Sequence, residues 1–379
     1  MSSYRIISTD NHVFEPPDLW LSRIEPKYKD RAPRVVHHDD GSDWWYCDGK
    51  LIPGTGVGFG GSQTGERFKE GRGANLTFED SIDNVRPGGY IPEEHVKDLD
   101  IDGIDASINY PTVGLQLFKE PDTELLNSIF VTYNDWLAEF CSAAPSRIHG
   151  IGMINVDNVQ VGVKEMERCA KMGLAGGMIT VRPPIGRKYN SPEYEPLWAA
   201  AQDLEMPLGL HLDTNRLGSG EADGSDPTDQ DPINRGVNCD HYVRNAIAEI
   251  ILAGVFERYP KLHVGAVEYE VSWAAHFLER LDYLYTDRTA ELVPNRFKNG
   301  MLPSDFFHSN VFIGFQEDGL GIRLRDIIGV NSLTWGSDYP HHESTFPRSR
   351  EILEKILADC TEEEKVKIVS GNAARIYKI

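Results

Sequence analysis

The stretch at residues 8–17, STDNHVFEPP, decides the fold. It overlaps the end of an apolar run, 4–9, that reads as a first strand. A doubly wound open sheet would place a glycine-rich turn directly after that strand. DNHVFEPP is no such turn, and Pro16 and Pro17 stop any helix. Asp10 and His12 stand two residues apart at the end of the run, with Glu15 three residues on. Folding has no need of an aspartate and a histidine at a strand tip, so the stretch raises a question of chemistry.

Outward from there, short apolar runs alternate with helical patterns. Further strands are predicted at 104–109, 148–154, 177–181, 207–211, 262–267, 311–314 and 333–335. Helices are predicted at 122–144, 159–172, 193–204, 241–256, 272–285 and 319–328, with two closing helices at 348–357 and 362–369. Strand–helix alternation implies a parallel sheet, and eight repeats imply that it closes. The prediction is an α/β fold, a (β/α)8 TIM-like barrel, as a single domain over 1–379. Residues of about 21–98 break the alternation and read as an insertion between strands one and two, over the top of the barrel. It holds WWYCDGKLIPG (44–54), a short hairpin, and a glycine-rich run at 54–73. That run lacks the G-x-x-x-x-G-K-[ST] pattern of a phosphate loop. A polar loop is expected from 213 to about 240, and a loop with a short helical piece at 286–310.

The chain has 379 residues, and its 40% hydrophobic content is ample for one barrel core. A net charge of −21 disfavours nucleic acid and anionic membranes as partners. No window approaches the roughly 20 apolar residues of a membrane helix, and the start lacks the pattern of a signal peptide. Five scattered cysteines without a Cys-x-x-Cys pair suit a reduced, cytoplasmic compartment.

In such barrels chemistry sits at the C-terminal ends of the strands. Strand one ends with Asp10 and His12, strand five with His211, strand six with Glu268, and strand eight with Asp338, followed by His341 and His342. Carboxylates and imidazoles that converge without a cationic partner are costly to bury. A divalent metal removes that cost, and oxygen and nitrogen donors without thiolate suit zinc, manganese or iron. Residues i and i+2 of a strand share a face, so Asp10 and His12 can serve one ion.

At these residues the sequence resembles the amidohydrolase-related family, which includes aminocarboxymuconate semialdehyde decarboxylase and the resorcylate-type decarboxylases. DNHVFEPPDLW (10–20), HLD (211–213), WGSDYPHHESTFP (335–347) and GNAARIYKI (371–379) carry the resemblance. It implies a divalent metal held by Asp10, His12, His211 and Asp338. Family members often place a histidine on strand six, where this chain has Glu268. Strand four, GGMITVRPP (176–184), offers Arg182 and no lysine, so the carbamylated-lysine bridge of two-metal amidohydrolases has no counterpart. Some members of the fold carry two metals, and Glu15, Glu268 and His342 are the candidates for a second ion here.

The expected function is metal-dependent hydrolysis or non-oxidative decarboxylation of a small carboxylate or amide. Asp338 is the expected proton acceptor, with Glu268 and His341 as further catalytic groups. Arg182 offers a planar fork for a substrate carboxylate, and Trp44, Trp45 and Tyr110 an apolar wall and lid. One alternative is a dinuclear iron or iron–manganese oxygenase on the same scaffold. Another is an inactive partner subunit, which the joint retention of Asp10, His12, His211 and Asp338 argues against. The resemblance implies a homo-oligomer, or a hetero-oligomer with a related barrel subunit.

Overall fold

The computed structural model describes residues 4–184, 186–216, 232–287 and 296–379. Its strands, in chain order, are β1 (Ile7–Val13), β2 (Arg34–His37), β3 (Asp43–Cys47), β4 (Lys50–Gly56), β5 (Ala106–Pro111), β6 (Ile148–Met153), β7 (Gly176–Ile179), β8 (Leu208–His211), β9 (Val264–Val267), β10 (Val311–Phe315) and β11 (Leu333–Trp335). Eight of them, β1 and β5 to β11, pair in sequence order, all in parallel. Helices between consecutive strands cover the outside, as parallel strands require.

The first and last strands meet across a seam of specific hydrogen bonds. Thr9 Oγ1 donates to the Trp335 carbonyl at 3.0 Å. The Asp338 amide donates to the Asp10 carbonyl at 2.7 Å, and the His12 amide to the Tyr339 carbonyl at 2.6 Å. These bonds close the (β/α)8 barrel that the alternation predicts. β1 itself carries a bulge: three steps from Ser8 to Asn11 oppose two from Ser107 to Asn109. The extra residue breaks the ladder to β5 and turns Asp10 toward β11.

β1 therefore runs on to Val13, where the sequence suggests an end at Thr9, because β5 also extends to Pro111 and keeps it paired. Asp10 and His12 lie within the strand. The helix predicted at 122–144 forms from Thr123 to Ser142, capped by Asp122, whose carboxylate accepts the amides of Glu124 and Leu125. Its buried residues, Leu125, Leu126, Ile129, Phe130, Tyr133 and Leu137, recur at helical spacing and face the sheet. The helix predicted at 241–256 is two, His241–Leu252 and Val255–Arg258, divided at Gly254 with φ 70°.

The hairpin expected within 44–54 is β3 and β4, joined by Asp48 and Gly49, both at positive φ as a tight hairpin turn requires. β2 adds a third antiparallel strand, which the sequence did not reveal. The expected loop at 213–240 lies outside the described residues from 217 to 231, and the one at 286–310 from 288 to 295. Within those stretches Pro232–Val237 and Pro303–Asn310 are helical. Among the described residues no helix is long and apolar enough to cross a membrane, and all five cysteines are free.

Candidate active site

The C-terminal ends of β1, β8, β9 and β11 bring four carboxylates and three imidazoles to one place. His12 Nε2 lies 3.4 Å from Asp10 Oδ1 and 3.3 Å from Asp338 Oδ1. His211 Nε2 lies 3.4 Å from Asp10 Oδ1 and 3.3 Å from Glu268 Oε2. His341 Nδ1 lies 2.9 Å from Asp338 Oδ1. The outer nitrogens of two rings are held by backbone: His12 Nδ1 by the Pro111 carbonyl at 2.8 Å, His211 Nδ1 by the Leu212 carbonyl at 3.0 Å. A neutral ring donating from Nδ1 turns the Nε2 lone pair inward, as a metal-binding histidine must.

Backbone strain aims two of the acids. Glu268, one residue past β9, has φ 67°, and Asp338, three past β11, has φ 60°. A non-glycine residue in the left-handed region is held there by its surroundings, and such positions cluster at functional sites. Gly336 lets the two ends approach: a Cβ there would stand 2.3 Å from Asp10 Cβ.

Charge is unbalanced in this cluster. His12 is pushed up to about 10, because Asp10 and Asp338 favour its proton by more than burial opposes it. Asp338 and Asp10 are held below the usual carboxylate range despite burial, by the neighbouring imidazoles. Burial, together with the Asp338 and Asp10 charges, drives Glu268 well up. Burial and the Asp338 charge push Glu343 up to about 8. The carboxylates of Asp10 and Asp338 thus favour positive charge at the position of His12 Nε2. Ligand atoms of Asp10, His12, His211 and Glu268 lie within 4.8 Å of one another, as do those of His12, Asp338 and His341, and those of Glu268, Asp338 and Glu343. His12 Nε2, Glu268 Oε2, His341 Nδ1 and both Asp338 carboxylate oxygens are buried with no hydrogen-bond partner. Buried polar atoms are seldom left so, and this donor set fits a divalent cation.

Not every expected residue is drawn in. Glu15 is fully buried, and its two oxygens accept the amides of Val113 and Gly114 at 3.0 and 2.8 Å. His342 packs on Phe59 with ring centroids 4.0 Å apart. Trp45 is a core residue, edge-on to Trp20, and Trp44 donates to Ser42 Oγ at the insertion surface. Tyr110 lies against the His211 ring at 4.8 Å and reaches toward the Tyr377 hydroxyl at 3.4 Å. The Arg182 guanidinium covers the Tyr242 ring at 4.8 Å, and its Nη1 is buried without a partner.

A cleft of about 410 Å³ opens above Glu268 and His341. Its walls come from the insertion (Pro53–Gly56, Phe59, Phe78), from 112–119, and from Leu212 and Asp213. Thr112 Oγ1 lies 3.1 Å from His341 Nε2. Sequence reasoning missed Glu343, Thr112 and the phenylalanine walls. Glu343 alone left a signal, two residues past His341 in HHE.

An eight-stranded parallel barrel with carboxylates and imidazoles converging at its strand ends defines a candidate metal-site barrel enzyme. The amidohydrolase family model matches residues 85–379, and the chain belongs to that family. It is 24% identical over 335 residues to a gamma-resorcylate decarboxylase from Rhizobium sp. (strain MTP-10005), covering 80% of this chain and 94% of that one. Among solved structures, an amidohydrolase from Mycobacterium avium subsp. paratuberculosis K-10 superposes with a TM-score of 0.80 at 21% identity, over 100% of this chain and 99% of that one. A 5-carboxyvanillate decarboxylase from Novosphingobium aromaticivorans DSM 12444, complexed with manganese and 4-hydroxy-3-methoxy-5-nitrobenzoic acid, superposes with a TM-score of 0.67 at 19% identity, over 100% and 97%.

Proposed function

We propose that this protein is a metal-dependent non-oxidative decarboxylase of an aromatic carboxylic acid. The observation that carries the reading is the set of buried, unpartnered donor atoms of His12, Glu268, Asp338 and His341 beside Asp10 and His211. Decarboxylases of aromatic acids among the relatives, one with bound manganese, support it. Asp10, His12, His211 and Asp338 are the residues that would hold the ion, with Glu268 at its edge. A divalent ion held there would supply positive charge beside the substrate's oxygens, between the Asp10 and Asp338 carboxylates.

The chain's own groups do the rest. Phe59, Phe78 and Leu212 exclude water from one side of the ring. Glu268, which lines the cleft beside the cluster, is the group that would carry a proton to the ring. That proton replaces carbon dioxide on the ring carbon: the bond to the carboxylate breaks, its electron pair stays with the ring, and no oxidant takes part. Asp338 stays ionised 2.9 Å from His341 Nδ1, and the other nitrogen of that ring meets Thr112.

Hydrolysis by a metal-activated water, with Asp338 as proton acceptor, uses the same cluster. A dinuclear oxygenase would draw its second ion's ligands from Glu15, Glu268 and His342; the Glu15 carboxylate accepts two amides and His342 packs on Phe59, which favours the single-ion reading. The test is incubation of the manganese-loaded protein with a panel of hydroxybenzoates labelled at the carboxyl carbon. Labelled carbon dioxide released without reductant, and abolished by a chelator, is the expected result. Hydrolysis of amides or esters with no such release would overturn the reading.

A further inference from the structure

His12 and His211 are prepared as ligands in one way. The outer ring nitrogen donates to a fixed backbone oxygen, and the inner lone pair faces the cluster. His341 meets the same condition by a less direct route. Its ring is buried and stacks on His12, with centroids 4.0 Å apart and planes 28° apart. Its amide donates to the Asp338 carbonyl at 3.0 Å, which ties the ring to the turn that carries Asp338.

Proton counting settles which ring nitrogen of His341 is bare. Its Nε2 lies 3.1 Å from Thr112 Oγ1, and that oxygen lies 2.8 Å from the Val13 carbonyl. A hydroxyl has one proton to give, and a carbonyl oxygen can only accept. The Thr112 proton is therefore spent on Val13, and Oγ1 turns a lone pair toward His341. Nε2 must carry the ring proton. The neutral ring then presents its lone pair at Nδ1.

That lone pair stands 2.9 Å from Asp338 Oδ1. Both atoms are buried, and neither has a hydrogen-bond partner. A second ring proton would make Nδ1 a donor to this carboxylate, and the aligned bond it calls for is missing. Two buried acceptors side by side repel unless a cation lies against both. Ligand atoms of His12, Asp338 and His341 lie within 4.8 Å of one another, close enough to share one ion.

We infer that His341 is a third imidazole ligand of the ion, through Nδ1, and that Thr112 is the positioning residue that fixes its tautomer. The inference rests on the metal-site reading and adds these two residues to it. Thr112 acts on the ion only through His341.

The test is pulsed EPR of the manganese-loaded protein with isotope-labelled histidine, which counts bound imidazole nitrogens, together with manganese titration against a competing chelator. Wild type couples manganese to three imidazole nitrogens. His341→Gln couples it to two, with affinity at least tenfold lower. Thr112→Val keeps the side chain's shape and removes the acceptor. The ring proton then moves to Nδ1, where it can bond Asp338, so the count falls to two although His341 is still present. Thr112→Ser restores three nitrogens and wild-type affinity. A packing role for Thr112 would leave the nitrogen count of the folded variant unchanged. Two bound nitrogens in wild type, or three in T112V with unchanged affinity, overturn the inference. Should T112V not fold, the comparison of wild type with H341Q decides, and equal counts in those two overturn it. Protein that binds no manganese overturns the metal reading as well. Protein that binds manganese through two nitrogens and still releases carbon dioxide overturns this inference alone.

Discussion

Replacing Gly336 with alanine tests whether the barrel seam and the metal site are one construction. An alanine Cβ at 336 would lie 2.3 Å from Asp10 Cβ, 2.9 Å from its amide nitrogen and 3.0 Å from its Cα. Gly336 has no positive φ, so the conflict is purely steric. The opposing atoms belong to the backbone and Cβ of β1, which cannot swing aside as a flexible side-chain tip would. The strands must part, loosening the bond from the Asp338 amide to the Asp10 carbonyl. Overpacking costs about 1–3 kcal/mol, and one weakened hydrogen bond adds about 1 kcal/mol. A total of about 3 kcal/mol against an unfolding entropy of about 0.8 kcal/mol/K for a chain of this length lowers Tm by about 4 °C. Because Asp10 moves with its strand, manganese affinity falls at least tenfold. Differential scanning calorimetry in chelator and metal titration of the same variant read the two effects. Gly236→Ala, where a Cβ meets no atom within 4 Å, is the control. A G336A protein with wild-type Tm and wild-type metal affinity would refute the reasoning.

Further expectations concern separate parts of the molecule. Glu15→Ala leaves two buried amides unpartnered, lowering stability by about 2–4 kcal/mol in denaturant titration while metal content stays at the wild-type value; loss of metal would restore Glu15 as a ligand. Arg216→Met breaks a buried pair with Asp157 and leaves that acid the Thr123 hydroxyl, costing about 3 kcal/mol by the same titration. Burial lowers His95 from 6.5 to about 4, so its contribution to stability is fully present above pH 6.5 and is lost as pH falls toward 4. That loss amounts to about 3 kcal/mol, and His95→Gln flattens this part of the stability–pH curve. Chelation lowers wild-type Tm by the linkage free energy, about 2.7 kcal/mol at free metal near 100 Kd, whereas His211→Ala melts alike with and without metal.

Barrel strands were legible because strands buried on both faces read as apolar runs, and the acids and imidazoles that interrupt their ends stand out. Asp10, His12, His211, Glu268, Asp338 and His341 were found in that way, and the structure brings them together. Glu15 stays open in the sequence because a carboxylate near a metal pair and one that receives two amides leave the same letter. Which role it takes depends on where residues 113 and 114 lie, about 100 positions on. Trp44 and Trp45 alternate on β3, so one packs into the insertion's core beside Trp20 and the other faces out. Phe59 and Phe78 reach the cleft through a segment with no period of its own, which pattern reading cannot place. The bulge between Ser8 and Asn11 is likewise silent, because it is defined by its partner strand.

The central claim is metal-dependent loss of carbon dioxide without oxidation. The direct measurement is carbon dioxide evolution from aromatic acids under strict anaerobiosis, by protein loaded with manganese and by the same protein after chelation. Evolution that persists without dioxygen or reductant, and stops on chelation, is what the account predicts. Turnover that appears only with dioxygen and a reductant, with dioxygen consumed in step with product, would contradict it.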